Sequence, residues 1–255
     1  MGRFDGVLLC CDIDGTLAIG DRIPESNKTA LATFTAEGGL LSLCSGRATA
    51  YLQKLEGVFP NAPYISYNGT RIYDGKTEKV LWECGMTDRD RFAPALYLLN
   101  VGATDVRFYS YFSDDTGLPC ETLTPSFDPV VFREKTVLKN VYVFPDAQTA
   151  EARQAEMAHM FPQYIFRRSW PEGVEQINPA AGKGVCVKRL KAILGAKTLI
   201  CIGDQEIDHP MLEAADLAFA PENATPTTKQ LVRAVVASAE KGALADLVNI
   251  LPLYL

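Results

Sequence analysis

The chain has 255 residues, 47% of them apolar and 22% charged, and a formal net charge of -6 at pH 7. A soluble chain of this size and apolar content can bury one or two hydrophobic cores, which excludes an intrinsically disordered protein. The net negative charge argues against broad binding to nucleic acid or anionic membranes, because both require clustered Lys and Arg that neutralise phosphate. A local basic pocket for a small phosphorylated ligand is compatible with this composition.

The cysteines lack the paired spacing of a metal site or disulfide framework, and no histidine cluster accompanies them. We interpret them as reduced, mostly buried thiols. No N-terminal signal region is recognisable, and no apolar run approaches the length of about 18 residues that a membrane span requires. The sequence therefore predicts a cytoplasmic protein and leaves its oligomeric state open. The seven cysteines are Cys10, Cys11, Cys44, Cys84, Cys120, Cys186 and Cys201.

The first third of the chain alternates short apolar runs with segments of helical periodicity. This pattern is typical of a parallel sheet flanked by helices. Each apolar run ends in small or polar residues, which in an open α/β sheet are the positions that bind ligands. The predicted elements are a strand at residues 7–11, a helix at 24–35, a strand at 40–44, a helix at 48–55 and a strand at 64–67.

The middle of the chain changes character near Cys84. Strands and helices are mixed there with long turns, which indicates an α+β unit of its own, and the segment from Ser113 to Pro129 is predicted as loop. The predicted elements of this unit are a helix at 86–99, strands at 106–112 and 138–144, a helix at 146–160, and strands at 164–168 and 174–177. The α/β pattern then returns, with a helix at 184–194 and a strand at 198–202. The simplest organisation is an α/β core of residues 1–83 and 178–255, interrupted by an inserted domain of residues 84–177.

Two carboxylates, Asp12 and Asp14, follow the first predicted strand. Because residues i and i+2 of a strand point to the same side, we expect both side chains to lie close together, where a cation would relieve their repulsion. Mg²⁺ suits this position, since it takes oxygen ligands from one or two carboxylates plus a substrate phosphate. The alternative is a plain Asp-Gly turn in which the acids serve as turn formers.

A second acidic cluster, from Asp204 to Asp208, follows another apolar strand. Two such clusters at strand ends are what a Mg²⁺ site assembled from separate parts of a sheet requires. We predict Asp204 as a metal ligand, and Asp208 as either a ligand or an acid that orients the ligands. Glu206 is interpreted as a charge that favours a helix N-terminus.

Lys183 is predicted to lie at the start of a helix. A positive charge there opposes the helix dipole, so we expect a phosphate or carboxylate partner, the alternative being a solvated loop lysine. Ser45, beside Gly46 at the end of the second strand, offers a hydroxyl and amide donors for phosphate oxygens. Its alternative role is the N-cap of the helix that begins at Ala48, which is compatible with phosphate binding.

These segments together resemble the haloacid dehalogenase (HAD) superfamily of phosphatases and, within it, the Cof-like sugar-phosphatase branch. The resemblance extends over nearly the whole chain, and its specificity lies in the order and spacing of the motifs. It implies a Rossmann-like parallel-sheet core with an inserted α+β cap domain that selects the substrate. The matching segments are Asp12-Ile13-Asp14-Gly15-Thr16, Ser45-Gly46-Arg47, Tyr67-Asn68-Gly69, Lys183, Gly203-Asp204 with Asp208, and Ala220-Pro221-Glu222-Asn223-Ala224.

The resemblance implies a Mg²⁺-dependent phosphatase of small phosphorylated metabolites, with sugar phosphates as the expected substrates. Asp12 would form an aspartyl-phosphate, and Asp14 would act as general acid and then as general base. The metal ligands would be the Asp12 carboxylate, the Asp14 backbone carbonyl and the Asp204 carboxylate. The residues implied in phosphate binding are Ser45, Gly46, Asn68 and Lys183.

One departure from the Cof-like pattern is Ile207, where Asn is usual, because isoleucine cannot donate a hydrogen bond. His209 is interpreted as structural, since Asp14 already supplies proton transfer. The alternatives left open are a phosphomutase or nucleotide-directed phosphatase of the same superfamily, and a non-catalytic regulatory protein that binds phosphate. Retention of both Asp12 and Asp14 favours an enzyme, because a binding module needs neither a nucleophile nor a proton donor.

Overall fold

The computed structural model describes residues 2–103 and 105–255. The chain divides into two compact units: unit 1 comprises the residues up to Glu83 together with Gly182–Leu255, and unit 2 comprises Cys84–Ala181. The return to unit 1 lies four residues beyond the predicted break after residue 177. The Asn178 side chain donates to the Gly85 carbonyl at 2.8 Å, which ties this short segment to unit 2.

The strands, α-helices and 3₁₀ helices of the described residues have the following bounds. The strands are β1 Val7–Cys11, β2 Leu40–Leu43, β3 Tyr64–Ser66, β4 Arg71–Asp74, β5 Lys79–Glu83, β6 Arg107–Phe112, β7 Gly117–Thr122, β8 Val137–Val143, β9 Ile165–Trp170, β10 Gly173–Ile177, β11 Thr198–Ile202, β12 Leu217–Pro221 and β13 Ala234–Val236. The α-helices are α1 Glu25–Ala36, α2 Thr49–Leu52, α3 Ala93–Asn100, α4 Ala147–Met160, α5 Lys183–Leu194, α6 His209–Ala214, α7 Pro226–Lys229 and α8 Ala243–Ile250. Short 3₁₀ helices occur at Pro129–Phe132, Glu206–Asp208, Ala239–Lys241 and Leu251–Leu253.

Unit 1 is built on a parallel five-stranded sheet with the strand order β13-β12-β11-β1-β2. All five residues of β1 are buried, as expected for a central strand covered on both faces. Apolar residues of α1 and α8 pack with Leu9 on one face, and those of α5 and α6 pack with Leu8 and Cys10 on the other. The predicted α/β class with a parallel core sheet is confirmed.

The predicted third strand of this sheet belongs instead to a separate antiparallel sheet, β3-β4-β5. The chain reverses after β3 because Tyr67, Asn68 and Gly69 all have left-handed backbone conformations, with φ of 51°, 57° and 83°. A single parallel bridge between Cys44 and Ile65 connects β3 to the end of β2. Strands β4 and β5 were not predicted.

Unit 2 is an antiparallel five-stranded sheet with the order β7-β6-β8-β10-β9. Its core forms where α3 and α4 pack against alternate strand residues such as Phe108, Tyr142 and Val174. The predicted helix at 86–99 begins only at Ala93, because Met86 pairs with Val137 in a β-bridge. The predicted loop at 113–129 contains β7, an edge strand whose exposed side chains and internal Pro119 remove the alternation by which strands are recognised.

None of the cysteines in the described chain forms a disulfide: five are buried, Cys84 is half-buried and Cys120 is exposed. Within the two described ranges, no helix combines the length and the apolar character needed to cross a bilayer.

Candidate active site

Three loops of unit 1 begin at one edge of the parallel sheet and carry predicted site residues. Asp12 follows β1, Ser45 lies two residues beyond the end of β2, and Asp204 lies two residues beyond β11. Backbone hydrogen bonds continue the strand pairing past the strand ends, from Asp12 N to Ile202 O at 3.0 Å and from Cys44 N to Cys11 O at 2.8 Å. The loops therefore leave the sheet side by side.

Asp12, Asp204 and Asp208 form a buried cluster, in which one carboxylate oxygen of each lies within 4.8 Å of those of the others. The Lys183 Nζ lies 2.7 Å from Asp12 Oδ1 and 2.6 Å from Asp208 Oδ1. Lys183 is only 2% exposed, so its interpretation as a solvated loop lysine is wrong. The lysine at the start of α5 has carboxylate partners, as its unfavourable position in the helix dipole predicted.

The cluster contains three acidic groups and one basic group. Burial and then the nearby Asp208 raise the pKa of Asp12 well above its usual value, although Lys183 opposes this shift. Burial and Asp208 also raise the pKa of Asp204, to about 7. Burial disfavours the charged form of Lys183, but Asp12 and Asp208 outweigh it and raise its pKa. Three clustered acidic side chains with a single ammonium beside them are compatible with a hard divalent cation, which prefers oxygen ligands.

Asp208 is engaged through both of its oxygens. Its Oδ2 accepts hydrogen bonds from the backbone N of Asp204 at 3.0 Å and of Gln205 at 3.2 Å, while Oδ1 contacts Lys183. These bonds favour the interpretation of Asp208 as an acid that orients the cluster. Glu206, by contrast, is exposed on the 3₁₀ helix between the two acids.

The Asp14 side chain is not part of the buried cluster. It is 49% exposed and pairs with Arg47, so the prediction that its carboxylate lies beside that of Asp12 and shares a cation is wrong. Strand alternation does not apply here because β1 ends at Cys11. The backbone carbonyl of Ile13 accepts hydrogen bonds from three successive amides, which coil the chain into a tight turn.

This turn also serves the acidic cluster, so the turn and the site are not alternatives. The Thr16 hydroxyl donates to Asp204 Oδ1 at 3.1 Å, and its neighbour Gly15 has a φ of +86°. A Cβ at Gly15 would collide with the Asp204 carboxylate, so only glycine permits this close approach. The Asp-Gly sequence thus brings the first loop onto Asp204.

Ser45, Gly46 and Asn68 lie together at the end of β2. The Ser45 backbone donates to Ile65 O at 2.9 Å and accepts from Asn68 N at 3.0 Å. A Cβ on Gly46 would lie 2.9 Å from Asn68 Nδ2, so the two residues are in close contact. The proposed N-cap role of Ser45 is wrong: α2 spans only Thr49–Leu52, and its N-cap position is Ala48.

Three residues of the matched segments had no predicted role but make specific contacts. They are Thr16, described above, Arg47, which pairs with Asp14, and Asn223, whose Nδ2 donates to Gly15 O at 2.7 Å. Their presence inside the matched segments was the available signal. His209 Nε2 lies 2.9 Å from Thr228 Oγ1, a contact suited to a structural role.

Sequence comparison matches residues 9–248 to the family model described as haloacid dehalogenase-like hydrolase. A relative from Bacillus subtilis (strain 168), named "Putative phosphatase YxeH", is 28% identical over 248 residues. That alignment covers 86% of this chain and 88% of the relative.

Solved structures share the fold at low sequence identity. BT1666 from Bacteroides thetaiotaomicron, a HAD phosphatase, has a TM-score of 0.81 at 18% identity, covering 97% of this chain and 95% of its own. BT4131, a HAD subclass IIB sugar phosphatase, has a TM-score of 0.80 at 20% identity, covering 96% and 98%. TM0651 from Thermotoga maritima has a TM-score of 0.75 at 18% identity, covering 95% and 96%. The chain belongs to the haloacid dehalogenase-like hydrolases, which confirms the family and the hydrolase class that its motifs predict.

Proposed function

We propose that this protein is a Mg²⁺-dependent phosphatase that hydrolyses small phosphorylated metabolites through an aspartyl-phosphate on Asp12. The observation that carries the proposal is the buried cluster of Asp12, Asp204 and Asp208 around Lys183. The named phosphatase relatives support this activity, and the sugar phosphatase among the similar structures supports sugar phosphates as the substrate class.

The residues present fit a magnesium ion. We assign its protein ligands to the carboxylates of Asp12 and Asp204 and the backbone carbonyl of Asp14, with Asp208 orienting Asp204 through its backbone amide. When bound, Mg²⁺ offsets the repulsion between the Asp12 carboxylate and the negatively charged phosphate. The surplus of buried carboxylates supports this assignment.

In the first half-reaction, a carboxylate oxygen of Asp12 attacks the phosphorus of the monoester. The bond between phosphorus and the leaving oxygen breaks, and the carboxyl group of Asp14 gives its proton to that oxygen. Lys183 holds Asp12 through Oδ1, which restricts the orientation of the nucleophile. The products are a free alcohol and phosphorylated Asp12.

In the second half-reaction, a water molecule attacks the phosphorus of the aspartyl-phosphate. The Asp14 carboxylate accepts a proton from that water, and the bond between phosphorus and Asp12 breaks. Inorganic phosphate leaves, while Asp12 is restored as a carboxylate and Asp14 regains its proton. Asp14 thus acts once as acid and once as base.

We assign phosphate binding to Ser45, Gly46, Asn68 and Lys183. Such groups contribute by positioning the phosphoryl oxygens and stabilising their charge, which carries most of the catalysis in phosphoryl transfer. We further propose that unit 2 is a cap that selects the substrate.

We place the protein in the cytoplasm. The described cysteines form no disulfide, which supports a compartment in which thiols stay reduced. Cell fractionation tests this, and recovery of the protein outside the cytoplasmic fraction would contradict it.

The decisive experiment is phosphate release from p-nitrophenyl phosphate in Mg²⁺ and in EDTA. We expect turnover that depends on the metal and is lost in Asp12→Asn. Glu206→Gln is the matched control, because Glu206 lies in the same acidic segment but is exposed and outside the cluster. Absence of metal-dependent turnover would support a non-catalytic phosphate-binding protein, and undiminished turnover by Asp12→Asn would overturn the covalent mechanism.

A panel of phosphorylated metabolites tests the substrate class. We expect the highest kcat/KM for sugar phosphates. A clear preference for nucleotides, or transfer of the phosphoryl group to another sugar hydroxyl instead of to water, would favour the nucleotide-directed phosphatase or the phosphomutase.

A further inference from the structure

Arg47 binds both oxygens of the Asp14 carboxylate. Its Nε lies 2.9 Å from Oδ2 and its Nη2 lies 2.5 Å from Oδ1, a bidentate arrangement in which the planar guanidinium matches the planar carboxylate. Among the described residues, the hydrogen bonds and the ion pair of the Asp14 carboxylate are all with Arg47. The orientation of the Asp14 carboxylate is therefore set by this arginine.

The arginine is itself held from several sides. Its guanidinium carbon lies 4.0 Å from the centre of the Tyr51 ring, and Nη1 lies 3.9 Å from Asp21 Oδ1. Its backbone N donates to Ser45 Oγ at 3.2 Å, and its carbonyl accepts from Tyr67 N at 3.1 Å. Arg47 thus connects Asp14 to the loops that follow β2 and β3.

The hydrogen-bonding inventory of the pair limits what Asp14 can do while it is bound. A guanidinium has donors and no acceptor, so both Asp14 oxygens must act as acceptors. A carboxyl group that carries a proton needs an acceptor for it, which this contact does not offer. The bidentate pair therefore suits the step in which the Asp14 carboxylate accepts a proton from water better than the step in which Asp14 donates a proton to the leaving oxygen.

We propose that Arg47 is a positioning residue that holds the Asp14 carboxylate for hydrolysis of the aspartyl-phosphate. The proposal rests on the proposed phosphatase mechanism and adds that Arg47 contributes unequally to the two half-reactions. Arg47 supports the second half-reaction more than the first. It acts through Asp14 and does not itself touch the reacting atoms.

Rapid-mixing kinetics with p-nitrophenyl phosphate test this proposal, because nitrophenolate is a good leaving group that departs without a proton. Removing Arg47 should slow hydrolysis of the phosphorylated enzyme more than its formation. For Arg47→Ala we expect a burst of nitrophenolate close to one per active site, and a kcat lower by roughly 10- to 100-fold. Arg47→Lys should be intermediate, since lysine keeps the charge but lacks the bidentate fork.

A double-mutant cycle separates positioning from a general loss of structure. On an Asp14→Asn background, Arg47→Ala should change kcat by less than about twofold, because the group through which it acts is already removed. Low concentrations of guanidinium chloride should partly restore kcat in Arg47→Ala and not in Asp14→Asn. Arg22→Ala is the control arginine, since Arg22 is exposed in the neighbouring loop, and it should leave kcat unchanged.

The outcomes are distinct. The role of Arg47 is overturned if the wild type is active and the Arg47→Ala variant shows no burst, although thermal unfolding shows that the variant is folded. It is also overturned if the losses in kcat are additive in the double mutant. Wild-type kinetics in Arg47→Lys overturn it as well, because charge alone would then be enough. A wild type without Mg²⁺-dependent turnover overturns the phosphatase mechanism, and with it the proposal for Arg47.

Discussion

Lys183 in unit 1 and Arg91 in unit 2 are both buried cations, but they have different partners. In unit 1, Lys183 contacts Asp12 and Asp208, two of the three clustered buried acids, so the cluster has more acidic than basic groups. In unit 2, the buried guanidinium of Arg91 donates to backbone carbonyls of Thr87, Asp88, Phe132 and Arg133. The backbone carbonyls that accept from Arg91 compensate its charge, and these hydrogen bonds hold loops of unit 2 together. In unit 1, by contrast, the buried acids outnumber the basic groups, which suits the binding of a cation.

The largest expected effect comes from removing the single cation of the unit 1 cluster. Lys183→Met leaves the carboxylates of Asp12 and Asp208 buried without their partner, and we expect the free energy of unfolding to fall by about 3–5 kcal/mol. Urea denaturation measures the change. Lys191→Met is the matched control, because its surface pair with Asp216 is worth only about 0–1 kcal/mol. Equal losses in the two variants would contradict the special status of the buried cluster.

The comparison predicts a structural penalty without a metal effect in unit 2. Arg91→Met removes the donor for several loop carbonyls, and we expect a loss of about 2–3 kcal/mol in the free energy of unfolding. The Mg²⁺ concentration that gives half-maximal activity should stay as in the wild type. A large shift in that concentration, measured by titrating Mg²⁺ into the folded variant, would mean that Arg91 also serves the site.

The excess of acidic over basic groups in the unit 1 cluster should make the stability of the metal-free protein depend on pH. Burial raises the pKa of Asp204 to about 7 in the folded state, above the usual aspartate value of 3.8, so protons bind the folded protein more tightly. The stability of the metal-free protein should therefore fall as the pH rises from about 4 to about 7.

Because Mg²⁺ competes with protons for the same carboxylates, its effect should show the opposite trend. The rise in Tm on adding Mg²⁺ should be larger at pH 8 than at pH 6. Thermal unfolding in EDTA and in Mg²⁺ at the two pH values checks both expectations. A Mg²⁺ effect that does not vary with pH would contradict the assignment of Asp204 as a ligand.

The smallest expected effect comes from removing the hydrogen bond between Thr16 and Asp204, the assigned metal ligand. Thr16→Val keeps the shape of the side chain but removes the hydrogen bond to Asp204, and we expect an unfolding free energy lower by about 1 kcal/mol. The affinity for Mg²⁺ should fall by roughly 10-fold, as is usual when a ligand loses its supporting hydrogen bond. Thr33→Val on the exposed face of α1 is the control. Titration of activity with Mg²⁺ would count against the proposal if both variants behaved alike.

The strands of unit 1 that lead to Asp12 and Asp204 were predictable because buried parallel strands are continuous apolar runs, and polar residues directly after such runs stand out. The antiparallel strand β7 was not, since an exposed edge strand lacks that pattern. Strand β3 was recognised as a strand but assigned to the wrong sheet. Its sheet depends on the reversal at Asn68, a non-glycine residue with positive φ that composition does not reveal.

The amino-acid sequence therefore determined the order of the motifs, the class of the core and which acids follow its strands, because these depend on local patterns of apolar and polar residues. Only the tertiary structure decided that the carboxylate of Asp208 lies close to that of Asp12 while the carboxylate of Asp14 lies outside the cluster. Asp208 and Lys183 are 25 residues apart and join Asp12 from the far end of the chain, whereas Asp14, two residues from Asp12, turns to Arg47. Partners of this kind depend on how distant loops pack, and spacing along the chain does not encode that packing.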